Sequence, residues 1–136
     1  EVTDDAMGKS PQQWQTEAAA RAAEENLIVF AETGAGKTMV AELAIKDALL
    51  RQPSKRCAFL VTATRLLAHQ QWQRIRQSLQ EEYLAIETDE VVEVTGYTTS
   101  EWNESAWTNC FDRAKVLVGT IETFARAVID HGYLQL

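Results

Sequence analysis

Ala31-Glu32-Thr33-Gly34-Ala35-Gly36-Lys37-Thr38 is the stretch that decides how this 136-residue chain reads. An apolar run, Leu27-Ile28-Val29-Phe30-Ala31, leads into it. Behind it, Val40, Leu43, Ala44, Ala48 and Leu49 recur at helical spacing from Lys37 to Leu50. A short apolar run bounded by turn residues predicts a strand buried on both faces, so the order is strand, glycine-rich turn, helix. Gly34 and Gly36 let the backbone turn its N–H groups inward around an anion, with Thr33 and Ala35 completing the cradle. The positive end of the following helix adds to that field. Lys37 would reach the β- and γ-phosphates as a point charge, and Thr38 would offer its hydroxyl to Mg²⁺. The predicted ligands are therefore ATP and Mg²⁺. The strict pattern G-x-x-x-x-G-K-[ST] has Gly at its first position, where this chain has Ala31.

Outward from the loop, strands and helices alternate. Residues 1–9 read as a flexible lead-in. Ser10-Pro11-Gln12-Gln13 reads as a helix start, with Ser10 at the N-cap and Gln13 completing a capping box, and an Ala-rich helix follows to about Asn26. Gln52-Pro53-Ser54 breaks the helix that begins at Lys37. Residues 57–61 predict a second strand, and Thr64 can cap a helix reaching about Leu79. Residues 91–95 predict a third strand, closed by Gly96, and a short helix runs from Ser100 to about Phe111. Residues 115–119 predict a fourth strand, after which Thr120 caps a helix that stops at Gly132. The class is α/β, a parallel sheet with flanking helices.

Composition removes several alternatives. Hydrophobic residues make up 46% and charged residues 24%, a mix that can bury a core. No apolar run approaches the roughly 18 residues of a membrane-spanning helix, so no membrane partner is expected. The start carries no basic segment followed by an apolar one, and a cytoplasmic location is the expectation. Cys57 and Cys110 are too few for a disulfide framework or a zinc site. The net charge of −7 argues against a simple basic nucleic-acid glove, yet it is polarised. Lys46 to Arg76 holds seven bases and one acid, whereas Glu81 to Glu104 holds eight acids and no base. The cationic segment can hold a phosphate backbone, although on charge alone two solvated faces are the preferred reading.

Hydrolysis of a triphosphate also needs carboxylates, commonly at the end of an apolar strand, to hold Mg²⁺ and orient water. Two stretches are candidates: Tyr83–Ile86 before Glu87, Asp89 and Glu90, and Ala127–Ile129 before Asp130. The first lies in an acid-rich polar stretch and the second inside a helical pattern, so both read as solvated faces.

The loop, with Ala in first position and Thr-Gly-x-Gly-Lys-Thr behind it, resembles motif I of superfamily 2 helicases. Pro11-Gln12-Gln13-Trp14-Gln15-Thr16-Glu17 resembles the P-R-x-Y-Q-x-E element that opens the helicase region of the Dicer family and related cytosolic double-stranded-RNA sensors. The resemblance implies that Gln15, 22 residues before Lys37, contacts adenine. Gln12 stands where the family often has Arg, and Trp14 where it has Tyr. Cys57 to Gln71 is similar to motif Ia, Thr95-Gly96 occupies the place of motif Ib, and Val116 to Thr120 resembles the strand delivering motif Ic. The resemblance implies that Thr62, Thr64, Thr95, Gly96 and Thr120 contact an RNA strand; helix capping accounts for Thr64 and Thr120 equally well. Trp102, Trp107 and Phe111 look like the Dicer aromatic pattern before motif Ic, and read alone they are core filling. His131 to Leu136 is similar to the stretch directly before the Dicer strand ending in Asp-Glu-Cys-His.

What the resemblance implies is the N-terminal part (residues 10–136) of a RecA-like helicase ATP-binding domain, incomplete because it stops before motif II. It further implies a parent that uses ATP and cuts double-stranded RNA in RNA silencing, with the remaining helicase lobe and an RNase III region as partners. The fragment itself is then expected to turn over little ATP and to cut no RNA. A DNA-directed superfamily 2 translocase subunit and a non-catalytic nucleotide- or RNA-binding module are the alternative readings.

Overall fold

The computed structural model describes residues 11–32, 34–52, 58–81 and 86–132. The chain divides into two compact units, Glu1–Pro53 and Ser54–Leu136.

In the first unit, α1 spans Gln13–Ala22 and α2 spans Lys37–Arg51. The cap of α1 is Gln12, in extended conformation, and its N–H donates to Gln15 Oε1 at 2.8 Å. The predicted cap Ser10 lies outside the described residues. The helix ends at Ala22 rather than near Asn26: Glu24 and Glu25 follow, and carboxylates at a helix C-terminus oppose its dipole. The N–H groups of both glutamates fold back onto the Arg21 carbonyl and close the last turn. Ala19 of α1 is buried, as are Met39, Val40, Ile45 and Leu49 of α2, where the two helices pack together.

The run Leu27–Ala31 is not the predicted strand. Leu27 and Val29 are half-buried while Ile28 and Phe30 are 92% and 101% exposed, which is the two-residue period of extended chain. No strand pairs with it among the described residues. Composition can favour an extended backbone, but a strand exists only where a neighbour takes up its N–H and C=O groups.

In the second unit the elements run β1 (Ala58–Thr62), α3 (Arg65–Glu81), β2 (Val91–Val94), α4 (Glu104–Arg113), β3 (Val116–Thr120) and α5 (Ile121–Ala125). The three strands form a parallel sheet in the order β1-β3-β2. Each lies within one residue of its sequence-based position. β3 is central and buried throughout, as its continuous apolar composition requires. Along it the faces alternate. Leu117 joins Val94, Trp107, Phe111, Phe124 and Ala127 in one core, with Trp102 packed against it. Val116 and Val118 face the other way, and α3, packed on all three strands, buries Ala68, Ile75 and Leu79. The aromatics read as core filling are that: Trp107 meets Trp102 edge-on at 5.0 Å and Phe111 at 5.5 Å. α4 starts at Glu104, later than the predicted Ser100, and its cap is Asn103, whose side chain accepts from Ala106 N.

Register sets the geometry that matters next. Thr62 lies opposite Thr120, and Val94 opposite Gly119, so the carboxyl ends of all three strands reach one edge. A side chain at Gly119 would overlap the Val94 carbonyl oxygen and come within 3.0 Å of the Phe124 ring. No helix among the described residues is long and apolar enough to cross a membrane.

Candidate functional site

The loop of the first unit is built from two left-handed glycines. Gly34 has φ +83° and Gly36 has φ +94°, values that side chains rarely adopt, and Gly36 is also the N-cap of α2. Between them, Ala35 N donates to Glu32 O at 3.1 Å and closes the turn. Thr38, half-buried, occupies the first turn of α2. The exposed Lys37 ammonium folds back and donates to Ala31 O at 2.9 Å. The cradle therefore has helix-start N–H groups, glycine backbone without Cβ and a lysine at its rim, the donor set that suits an anionic phosphate chain. Thr33 lies outside the described residues.

Gln15 is only 2% exposed, and its amide is anchored at both ends. Oε1 accepts from Gln12 N at 2.8 Å, while Nε2 donates to Gly36 O at 3.0 Å. The structure thus brings Gln15 to the glycine loop and ties α1 to it. A primary amide has two N–H donors and two lone pairs, so one of each is left over. That tie was not readable from the sequence, because nothing in a helical glutamine announces which carbonyl it will meet.

In the second unit, the carboxyl edge of the sheet brings Thr64, Gly96 and Thr120 into one pocket of about 390 Å³. Thr62 and Thr95 lie beside it at their strand ends but are buried, 8% and 1% exposed. Their hydroxyls are turned to internal work. Thr62 Oγ1 donates to Thr64 O at 3.0 Å, and Thr95 Oγ1 lies 3.5 Å from Thr98 Oγ1. Thr64 Oγ1 accepts from Leu67 N at the start of α3, and Thr120 Oγ1 donates to Thr123 Oγ1 at 2.9 Å at the start of α5. Gly96 is different: a Cβ there would meet nothing within 4 Å, and its φ is not left-handed. Neither packing nor backbone conformation requires glycine at that position.

Arg65, one of the bases of the cationic segment, lines the same pocket, together with Thr123 and Arg126, which sequence reasoning missed. Arg126 is paired with Glu122 at 2.7 Å, one turn away. Each missed residue follows a strand's carboxyl end by a few positions, where open α/β sheets place ligands, and that position was the available signal. The carboxylate candidates do not end sheet strands. Thr88–Glu90 form a single 3₁₀ turn ahead of β2, with Asp89 ion-paired to Arg113, and Asp130 closes a π-helical turn after α5. Residues 82–85 lie outside the described residues.

Residues 10–135 match the DEAD/DEAH box helicase family, and the chain belongs to it. Membership of that family implies ATP use. Curated proteins to which the chain is similar include Dicers and Dicer-like proteins. Endoribonuclease Dicer homolog 2 of Arabidopsis thaliana is 32% identical over 145 residues, covering 98% of this chain and 10% of that protein. Endoribonuclease Dicer of Danio rerio is 30% identical over 133 residues, covering 93% of this chain and 6% of that protein. Dicer-like protein 2 of Cryphonectria parasitica is 28% identical over 113 residues, 82% of this chain and 7% of that protein. The chain spans a tenth or less of the length of these relatives.

Proposed function

We propose that this chain is the ATP-binding part of a Dicer-like helicase that acts on double-stranded RNA in RNA silencing. The observation that carries the reading is the loop at the head of α2, two left-handed glycines with a lysine ammonium at their rim. In this reading Gly34, Ala35 and Gly36, with Thr33, present N–H groups to the phosphates. Lys37 exchanges the Ala31 carbonyl for a γ-phosphate oxygen, a stronger charge-assisted partner. Thr38 holds Mg²⁺, which when bound neutralises phosphate charge. Gln15 turns its remaining donor and acceptor to the adenine edge while keeping the loop in place.

The role of Gln15 separates into two measurable parts. Gln15→Ala removes both amide bonds, leaving Gly36 O with Met39 N and the exposed Gln12 N to water, at a cost of about 0.5–1.5 kcal/mol per bond. We predict roughly tenfold weaker binding of Mg²⁺-ATP by calorimetry, with the preference for ATP over GTP lost as well. An equal loss for both nucleotides would leave Gln15 as a tether and remove it from base recognition.

The carboxyl edge of the second unit supports the RNA half of the reading. There the buried Thr62, Thr95 and Thr120 shape the turns, and Thr64, Gly96 and the helix starts face the ligand. Gly96 is best accounted for by the close approach of a phosphate backbone. Gly96→Ala is therefore expected to weaken RNA binding several-fold with the melting temperature unchanged; a stability loss without a binding loss would contradict this. Competition between duplex RNA and duplex DNA at matched salt tests the substrate class, with RNA expected to win. Preference for DNA would favour a translocase of the same family acting on DNA. ATP turnover and RNA cleavage belong, in this reading, to the longer parent with its remaining helicase lobe and RNase III region.

A further inference from the structure

Next to Gly96 stands Tyr97, 75% exposed, with the Arg65 guanidinium carbon 4.3 Å from its ring centroid. An exposed aromatic by itself needs no explanation. This one is held from behind and from below. Thr95 N donates to Thr98 Oγ1 at 2.9 Å, and Thr98 Oγ1 donates to Glu93 O at 2.7 Å. Thr99 Oγ1 and Thr99 N both donate to Thr95 O, and Ser100 Oγ donates to Tyr97 O. The turn is thus pinned to the end of β2, and the ring has one face covered by a cation and the rest open. Arg65 and Gly96 also line the pocket that holds Thr64 and Thr120.

We infer that Tyr97, braced by Arg65, is a stacking platform for an unpaired base of the RNA whose backbone enters the adjoining pocket. This rests on the RNA reading of that edge and narrows it. Within a duplex, base faces are occupied by neighbouring bases, so side chains reach only groove edges and the backbone. A ring open on its face instead recognises a base that has left the stack, in a single-stranded tail or a frayed end. Arg65 contributes twice: it fixes the ring orientation through the cation–π contact and adds positive charge where the strand's phosphate arrives.

The test compares a blunt RNA duplex with the same duplex carrying a short unpaired tail that contains 2-aminopurine. Both are bound by the 136-residue chain and by its Tyr97→Ala and Tyr97→Phe variants. The wild type is expected to quench the 2-aminopurine and to bind tailed RNA more tightly than blunt RNA. Tyr97→Ala should abolish the quench and weaken tailed RNA about tenfold, leaving blunt RNA within about twofold. Tyr97→Phe should retain both properties. Equal losses for tailed and blunt RNA, or an unchanged quench in Tyr97→Ala, would overturn the platform while leaving the RNA edge in place. A wild-type chain that binds neither RNA at low salt would instead overturn the underlying reading of the edge.

Discussion

Lys37→Ala is expected to weaken Mg²⁺-ATP binding about thirty- to hundredfold while leaving the melting temperature of the free chain unchanged. Lys37 is exposed, and in the free protein its ammonium donates to the Ala31 carbonyl. Removing an exposed side chain of that kind changes stability by no more than about 0.5 kcal/mol. In the bound state it would serve a phosphate carrying full negative charge, and charge-assisted hydrogen bonds contribute about 1.5–3 kcal/mol. The two halves of the prediction have to hold together. Thermal melts with and without nucleotide read both at once: ligand at about a hundred times its dissociation constant stabilises by about 2.7 kcal/mol, and that gain should fall below about 1 kcal/mol in the variant. A lost gain with a lowered baseline would mean that Lys37 supports the loop rather than the phosphate.

Gly119→Ala should be the most damaging single change in the second unit. Gly119 sits in the central strand, opposite Val94, and an added methyl group overlaps the Val94 carbonyl oxygen and crowds the ring of Phe124. Neither neighbour can yield cheaply. The carbonyl belongs to the paired strand, and Phe124 belongs to the core that also contains Trp107, Phe111 and Leu117. Overpacking of this sort costs about 3 kcal/mol when backbone has to move. The strand ends that carry Thr95 and Thr120 would shift with it. Denaturant unfolding followed by tryptophan fluorescence should show a midpoint far below that of the wild type, and RNA binding should fall in parallel. A midpoint close to the wild-type value would show that β2 and β3 can separate locally, and the rigid edge assumed for the RNA site would have to be given up.

What the sequence makes legible depends on the range of the forces involved. Features set by neighbouring residues were legible. The glycines of the loop, the helix that begins at Lys37, the caps at Thr64 and Thr120, and the apolar strand Val116–Thr120 all follow from local backbone and hydrogen-bond requirements. Trp107 and Phe111 stand four residues apart on α4 and share its face, which helical spacing made legible, whereas Trp102 lies ahead of the helix and its place on Trp107 came from the fold. Features that depend on distant partners were not. Leu27–Ala31 has the composition of a strand and the two-residue burial rhythm of one, but pairing is supplied from elsewhere in a chain and composition does not contain it. The anchoring of Gln15 on Gly36 and the stacking of Arg65 on Tyr97 join residues from different elements, and both emerged only from the folded arrangement. The buried hydroxyls of Thr62 and Thr95 carry a further lesson. Threonines at strand ends read as ligand contacts, and in the fold their hydroxyls also meet groups of the adjoining turns, a role that composition does not announce.

Calorimetric titration of Mg²⁺ and a non-hydrolysable ATP analogue into the folded chain tests the loop assignment most directly. The expected result is a saturable heat with one site per chain that depends on Mg²⁺ and whose midpoint shifts about thirty- to hundredfold in Lys37→Ala. A folded wild-type sample that gives no saturable heat, or the same heat with Mg²⁺ removed, would contradict it.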